Sequence, residues 1–218
     1  AKAIQLFTEA ARRAYADRLP PELVAEMEKR FAALVEPLRD SGRLGCVMAQ
    51  FPPWFRATRG NARRIEALAA RLAGISVSVE FRHPSWLAAE RRDRVFDLLA
   101  SHQLVFVAVD EPDVPGGGVP PVVHVTNPDL AIVRFHGKNE AGWRCRGATV
   151  HERFDYVYGA EQLRAWVEPV RRLGAEADGK PIALLGGPMP PADFRILDTL
   201  EALGGRVVLN GTESGERG

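Results

Sequence analysis

Short apolar runs alternate along the chain with stretches whose apolar residues recur every three to four positions. The runs of strand length are Leu44 to Gln50, Ile75 to Phe81, Leu104 to Val109, Ala131 to Phe135, Pro181 to Leu185 and Arg206 to Leu209. Between them the spacing predicts helices near 21–39, 60–72, 89–101, 160–174 and 191–203. Strands that alternate with amphipathic helices imply βαβ units and a parallel sheet. Pro20 and Pro21 open the first helix, and Leu23, Val24, Met27, Phe31, Leu34 and Val35 follow at helical spacing, so this helix is expected to cover one face of the sheet. The helix at 60–72 turns Ile65, Leu68, Ala69 and Leu72 inward and leaves Arg63, Arg64 and Arg71 as a solvated face.

The exceptions to this pattern carry the chemistry. Residues of a strand alternate between its two faces, so Val77, Val79 and Phe81 share one side and Ser78, Glu80 and Arg82 the other. A parallel sheet covered by helices is buried on both faces, and its strands ordinarily read as unbroken apolar runs. The same split recurs at Val133 and Phe135 against Ile132, Arg134 and His136, and again for Gln50 and Asp110. All of these polar residues fall at the last positions of their strands, the end where α/β barrels assemble active sites from their βα loops. A charge in a barrel interior needs a partner, and Glu80 with Arg82 or Arg134 offers one. Ion pairs that merely fill the top of a barrel are the alternative for the whole group. For His83 the alternative is a turn residue held by Pro84, and for Trp86 it is ordinary packing.

Two long connections stand near that end. The segment from Glu111 to Pro128 includes Pro115, Gly116, Gly117, Gly118, Pro120 and Pro121, which forbids regular structure. Three glycines suggest a phosphate cradle, but the Lys-Ser/Thr and helix start of such a cradle are absent, which favours a lid or a plain connector. The segment from Gly137 to Tyr158, with Trp143, Arg144, Arg146, His151, Arg153 and Tyr156, reads as an ordered loop over the site.

Composition narrows the choices further. The 218 residues suit one domain spanning 1–218, and 29 basic against 28 acidic residues leave a formal charge of +1, so any nucleic-acid contact has to be local. Cys46 and Cys145 are far apart and lack metal-binding spacing, which suggests free thiols in a reducing cytoplasm. No apolar run approaches the roughly 18 to 20 residues of a membrane helix, and no signal-peptide pattern is evident. A soluble, cytoplasmic protein without membrane contact is expected.

The run Glu80-Phe81-Arg82-His83-Pro84-Ser85-Trp86 resembles the signature of the DUF72 family, also called YecE-like proteins. Ala1-Lys2-Ala3, Gln50-Phe51-Pro52-Pro53, Val109-Asp110 and Val133-Arg134-Phe135-His136-Gly137 follow in that family's order, so the resemblance covers about residues 1–175. It implies an α/β, TIM-barrel-like (β/α)8 fold whose mouth carries Lys2, Gln50, Glu80, Arg82, His83, Asp110, Arg134 and His136. The resemblance also brings the suggestion of phosphate-ester or nucleic-acid substrates, as in a phosphoester hydrolase of the endonuclease IV type. Relative to the family, an opening Gly-Thr-Ser-Gly-Trp strand and the elements after it are absent, about two and a half strands of the eight in a closed barrel. The barrel is therefore expected to be incomplete, with open sheet edges that a second copy could cover. Near the end, Ala183-Leu184-Leu185-Gly186-Gly187-Pro188 stands where the family has a Phe-Asn-Asn motif, and about 180–217 weakly resembles a segment of 2-hydroxyacyl-CoA dehydratase subunits, without iron–sulfur cysteines.

These readings define one candidate site. Glu80, His83, Asp110 and His136 are the catalytic candidates, and Lys2, Gln50, Arg82, Trp86 and Arg134 the binding candidates for a small anionic or phosphorylated ligand. A divalent metal is compatible with Glu80, His83, His136 and Asp110, although no spacing fixes one. The competing reading is a non-catalytic module in which the same arginines, with Trp86 or Trp143, hold an anion or a nucleic-acid strand, and a third is an inactive barrel fragment.

Overall fold

The structure, a computed structural model, describes residues 19–114, 118–145 and 147–177, and the backbone of the strands at 182–186 and 205–209. In chain order the elements are α1 (Pro21–Asp40), β1 (Val47–Gln50), α2 (Arg59–Arg71), β2 (Val77–Glu80), α3 (Arg92–Ser101), β3 (Val105–Asp110), β4 (Ala131–Phe135), α4 (Glu140–Arg144), α5 (Val150–Phe154), α6 (Ala160–Glu176), β5 (Ile182–Gly186) and β6 (Gly205–Leu209). The six described strands lie in one sheet in the order β1-β2-β3-β4-β5-β6, and each pairs with its neighbours in parallel. Sequential parallel strands, with helices in the β1–β2, β2–β3 and β4–β5 connections, form the arrangement of a TIM-barrel-like fold. Among the described residues β1 and β6 are the terminal strands of this ladder.

The core follows the apolar runs. Every residue of β2 and β3 is buried, and Ile65 of α2, Val95, Phe96 and Leu99 of α3, and Leu163, Val170 and Leu173 of α6 pack against them as one cluster. Local signals set the helix starts: Thr58 accepts from Asn61 N–H at 3.2 Å at the head of α2, and Thr149 with Glu152 forms a reciprocal capping box at α5.

Helix α1 departs from expectation. Only Val35 is buried, while Leu23, Leu34 and Leu38 are exposed. It leans on α2 through an Arg71–Glu28 ion pair of 3.4 Å, and among the described residues no strand pairs with β1 on its free side for the apolar stripe of α1 to cover. Arg64 is likewise half-buried rather than outward, donating to Asn61 Oδ1 at 3.0 Å. The segment 137–158 is more regular than a loop, since it contains α4 and α5. Lys2, Pro115 to Gly117, Arg146, the helix expected at 191–203 and the loop residues Gly187 and Pro188 lie outside the described residues. No described helix is long and apolar enough to cross a membrane.

Candidate functional site

Aromatic packing decides which way the polar residues point. Phe81 stacks on Trp86 at 4.6 Å between ring centres, Trp86 on Phe55 at 5.6 Å, and Phe55 on Phe51 at 4.2 Å. This column holds Phe81 on the helix side of β2, so the alternation of the strand sends Glu80 and Arg82 to the opposite side. On β4, Phe135 is fixed between Tyr158 and Trp166, at 5.5 and 5.3 Å, and Arg134 and His136 turn away from it in the same manner. The registers Gln50↔Glu80 and Val109↔Arg134 bring the strand ends level.

The result is a buried ionic network centred on Glu80. Its side chain is fully buried, and its Oε1 accepts from Arg82 Nη1 at 3.2 Å and from His136 Nε2 at 3.0 Å, while Oε2 accepts from Arg134 Nη1. Burial alone would raise the Glu80 pKa, but the His136 hydrogen bond and the charges of His136, Arg134 and Arg82 outweigh it and hold the carboxyl at about 2. For His136 the balance is the reverse: burial pushes the imidazole down against the pull of Glu80, and the two arginines push it the same way. His136 thus takes up its charge only below the ordinary imidazole range, in the acid region where it helps to hold Glu80 ionised, and in either state we assign Nε2–H as the donor to Glu80. Arg82 Nη1, 3.3 Å from the same nitrogen, is then a cationic neighbour rather than its donor.

A second layer surrounds this network. Asp110 is buried and its Oδ1 pairs with Lys138 Nζ at 2.5 Å, while Lys138 also donates to the Glu111 carbonyl at 2.8 Å. Glu111 is 3% exposed; its Oε1 accepts from Val119 N–H at 2.6 Å, and its Oε2 lies 3.5 Å from Arg82 Nη2. Burial raises the Glu111 carboxyl, against the pull of Arg82, to about 6. The Arg82 guanidinium also sits 4.8 Å from the centre of the Trp143 ring on α4, and Trp143 packs edge-on against Phe154 of α5. The Tyr158 hydroxyl accepts from Gly137 N–H at 2.9 Å and donates to the Asp110 carbonyl at 3.3 Å, tying 137–158 to the end of β3.

Glu80, Arg82, Arg134, His136 and Asp110 thus come together at one strand end, as the alternation predicts. Other candidates do not. Trp86 is 2% exposed and donates from Nε1 to the Phe55 carbonyl at 2.7 Å, so it is a core residue out of reach of a ligand. His83 is only half-buried; its Nδ1 accepts from Ser85 N–H at 3.1 Å and lies 2.8 Å from Ser85 Oγ, which caps the short 3-10 turn Pro84–Trp86, and burial with the Arg56 charge lowers its pKa. Gln50 is exposed on β1, level with Glu80 in register. The proposed metal ligands do not converge: among the described residues no three His, Cys, Asp or Glu side chains come together as a ligand set, and both Glu80 oxygens already face cationic or N–H donors. Glu111 and Lys138 were not apparent as site residues from the chain alone. Lys138 continues the parity of Arg134 and His136, which is a usable signal, whereas Glu111 has the opposite parity to Asp110 and reaches Arg82 only because the chain leaves the strand there.

A TIM-barrel-like α/β protein with a buried charged network at its strand ends is the class that fold and site define. The family model described as "Protein of unknown function DUF72" matches residues 1–186, and the chain belongs to this family. It is 28% identical over 158 residues to UPF0759 protein YunF of Bacillus subtilis, covering 71% of this chain and 56% of that protein. Among solved structures it is similar to a DUF72 family protein of Thermotoga maritima, with a TM-score of 0.66, 32% identity and coverage of 82% of this chain and 65% of that one. A DUF72 family protein of Enterococcus faecalis gives a TM-score of 0.69 at 26% identity, covering 82% of this chain and 68% of its own. The chain accordingly spans a little over half the length of the Bacillus relative and just under two thirds of the Thermotoga one.

Proposed function

We propose that the strand-end network binds a small anionic, phosphate-bearing ligand, with Arg134 and Lys138 meeting it and Arg82 behind them. The observation that carries this reading is the convergence of cations at one strand end: the Arg82 and Arg134 guanidinium groups share the Glu80 carboxylate, Arg82 also faces Glu111 at 3.5 Å, and Lys138 stands beside them on Asp110. A guanidinium offers five N–H donors, and Glu80 engages one nitrogen of each arginine. The donors left over are held in place by a buried anchor, which favours planar, bidentate recognition of an oxyanion. Lys138 is the most exposed of the three cations, with a third of its side chain reached by solvent.

Glu80 acts in this reading as the organiser of the cations. A carboxylate held near 2 and saturated with donors is a poor proton acceptor at neutral pH. A second reading, hydrolysis of the bound phosphate ester, is favoured by Glu111, whose carboxyl near 6 is suited to proton transfer at physiological pH.

Titration calorimetry with inorganic phosphate and methyl phosphate, on the whole chain and on Arg134→Ala, tests the first reading. Loss of one charge-assisted bidentate contact is expected to weaken binding roughly ten- to a hundredfold, about 1.5 to 3 kcal/mol. If Arg134 only neutralises Glu80, the variant instead loses about 3 to 5 kcal/mol of stability while its folded fraction binds as before, and the reading fails. Release of p-nitrophenol from p-nitrophenyl phosphate checks the second reading, with Glu111→Gln as the variant that should abolish it.

A further inference from the structure

Two buried polar atoms beside Arg82 have no hydrogen-bond partner among the described residues: Glu111 Oε2 and Trp143 Nε1. Both border the same guanidinium, the carboxylate oxygen 3.5 Å from Nη2 and the indole ring 4.8 Å from Cζ. Glu111 Oε2 keeps only that long ion-pair contact, and Trp143 Nε1 has no acceptor among the described residues; a buried polar atom without a hydrogen bond is costly, and few native groups are left so without a reason. The rest of the network is satisfied: both Glu80 oxygens, Asp110 Oδ1 and Glu111 Oε1 each have donors within 3.2 Å or less. The unmet demand is therefore local, and its chemistry is specific. Glu111 Oε2 calls for a donor and Trp143 Nε1–H calls for an acceptor. A phosphate oxygen would suit the indole but not the carboxylate. A hydroxyl group, which donates and accepts, suits either.

We propose that the Arg82 corner is a hydroxyl-recognition subsite, in which Glu111 Oε2 and Trp143 Nε1 select a phosphate ester that carries free hydroxyls, a polyol or sugar phosphate, over a plain alkyl phosphate. The proposal rests on the anionic-ligand reading of the neighbouring cations. Arg82 links the two parts, since it pairs with Glu80 through Nη1 and with Glu111 through Nη2. A site built to hydrogen-bond a hydroxyl rejects the analogue that lacks it, because its own buried groups are then left unpaired. A bound water is the competing occupant of the same two atoms, and it would confer no such preference.

The test is titration calorimetry at pH 7 with glycerol 3-phosphate and methyl phosphate, on the whole chain, on Glu111→Gln and on Trp143→Phe. Glutamine keeps the carbonyl that receives Val119 N–H and puts a donor where Oε2 was, and phenylalanine keeps a ring over Arg82 without the N–H. The unaltered chain should bind glycerol 3-phosphate at least about tenfold more tightly than methyl phosphate. Trp143→Phe should lose most of that preference while binding methyl phosphate within about threefold of the original, as expected of a contact made to the hydroxyls alone, whereas Glu111→Gln, which also removes a charge beside Arg82, should lose the preference as a ratio of the two affinities whatever its affinity for methyl phosphate. Equal affinity for the two esters in the unaltered chain, or a preference that survives both substitutions, overturns the subsite and leaves the phosphate reading standing. Failure of both esters to bind overturns the phosphate reading and the subsite with it. Should Glu111→Gln not fold, Trp143→Phe separates these outcomes by itself.

Discussion

Replacing Glu80 with glutamine removes the one negative charge on which Arg82, Arg134 and His136 converge, and it does so with little change of shape. The carboxyl has a pKa of about 2 in the folded chain against an ordinary 4.5. At 1.36 kcal/mol for each tenfold change, that gap corresponds to about 3 kcal/mol of stability at neutral pH. The same order follows from the general cost of breaking a buried ion pair, about 3 to 5 kcal/mol, because two guanidinium groups are left without their counter-charge. The pH dependence is the sharper signature. A depressed carboxyl stabilises the fold above its unfolded pKa and loses that contribution as pH falls through the folded value, so the window runs from about 4.5 down to about 2. Linkage leaves about 1 kcal/mol of it at pH 3. Urea unfolding of the original chain and of Glu80→Gln at pH 7, 5, 4 and 3 should therefore show a difference of about 3 kcal/mol that shrinks by about 2 kcal/mol over the series. A difference that stays constant with pH, or that is below about 1 kcal/mol at pH 7, refutes the ionic hub.

The alternation of faces made the centre of the site legible, because it depends on nothing beyond strand geometry. Glu80 and Arg82, and Arg134 and His136, are each two residues apart, and the aromatic anchors Phe81 and Phe135 lie between them. Once the big rings are committed to the helix side, the charges have only one place to go. Trp86 and His83 show where a motif misleads. Both stand in the run that identifies the family, yet one is spent on the aromatic column and the other on a cap, and tertiary packing rather than local sequence decides that. Helix α1 failed for a related reason: an apolar stripe predicts what a helix could bury, but not whether a neighbouring strand stands there to receive it. Glu111 was illegible because its role comes from the path of the chain after β3. That path returns Val119 to its Oε1 and puts its Oε2 beside Arg82, contacts that no spacing in the sequence announces.

Two further predictions probe the elements that close over the network. Gly137 has φ of +83°, and a Cβ there would lie 2.6 Å from the Tyr156 Cβ, so Gly137→Ala should cost about 2 to 4 kcal/mol, read as a lowered melting temperature; a loss within about 0.5 kcal/mol would show that the 137–158 segment yields freely. Glu111→Gln should act on stability with the opposite pH sense from Glu80→Gln. Burial raises the Glu111 carboxyl from 4.5 to about 6, which means that the folded chain favours its neutral form. That preference is fully realised below about 4.5 and is lost as pH rises through about 6, leaving a penalty of about 2 kcal/mol for the ionised group above it. Glutamine cannot ionise, so the variant should match the original chain near pH 4.5 and exceed it by up to about 2 kcal/mol at pH 7, as urea midpoints would report. Stability that instead falls in the variant at pH 7 would mean that the ionised carboxylate is held by Arg82 and Val119 more firmly than burial opposes it. In that case Glu111 would belong to the ionic hub rather than to a site waiting for a donor.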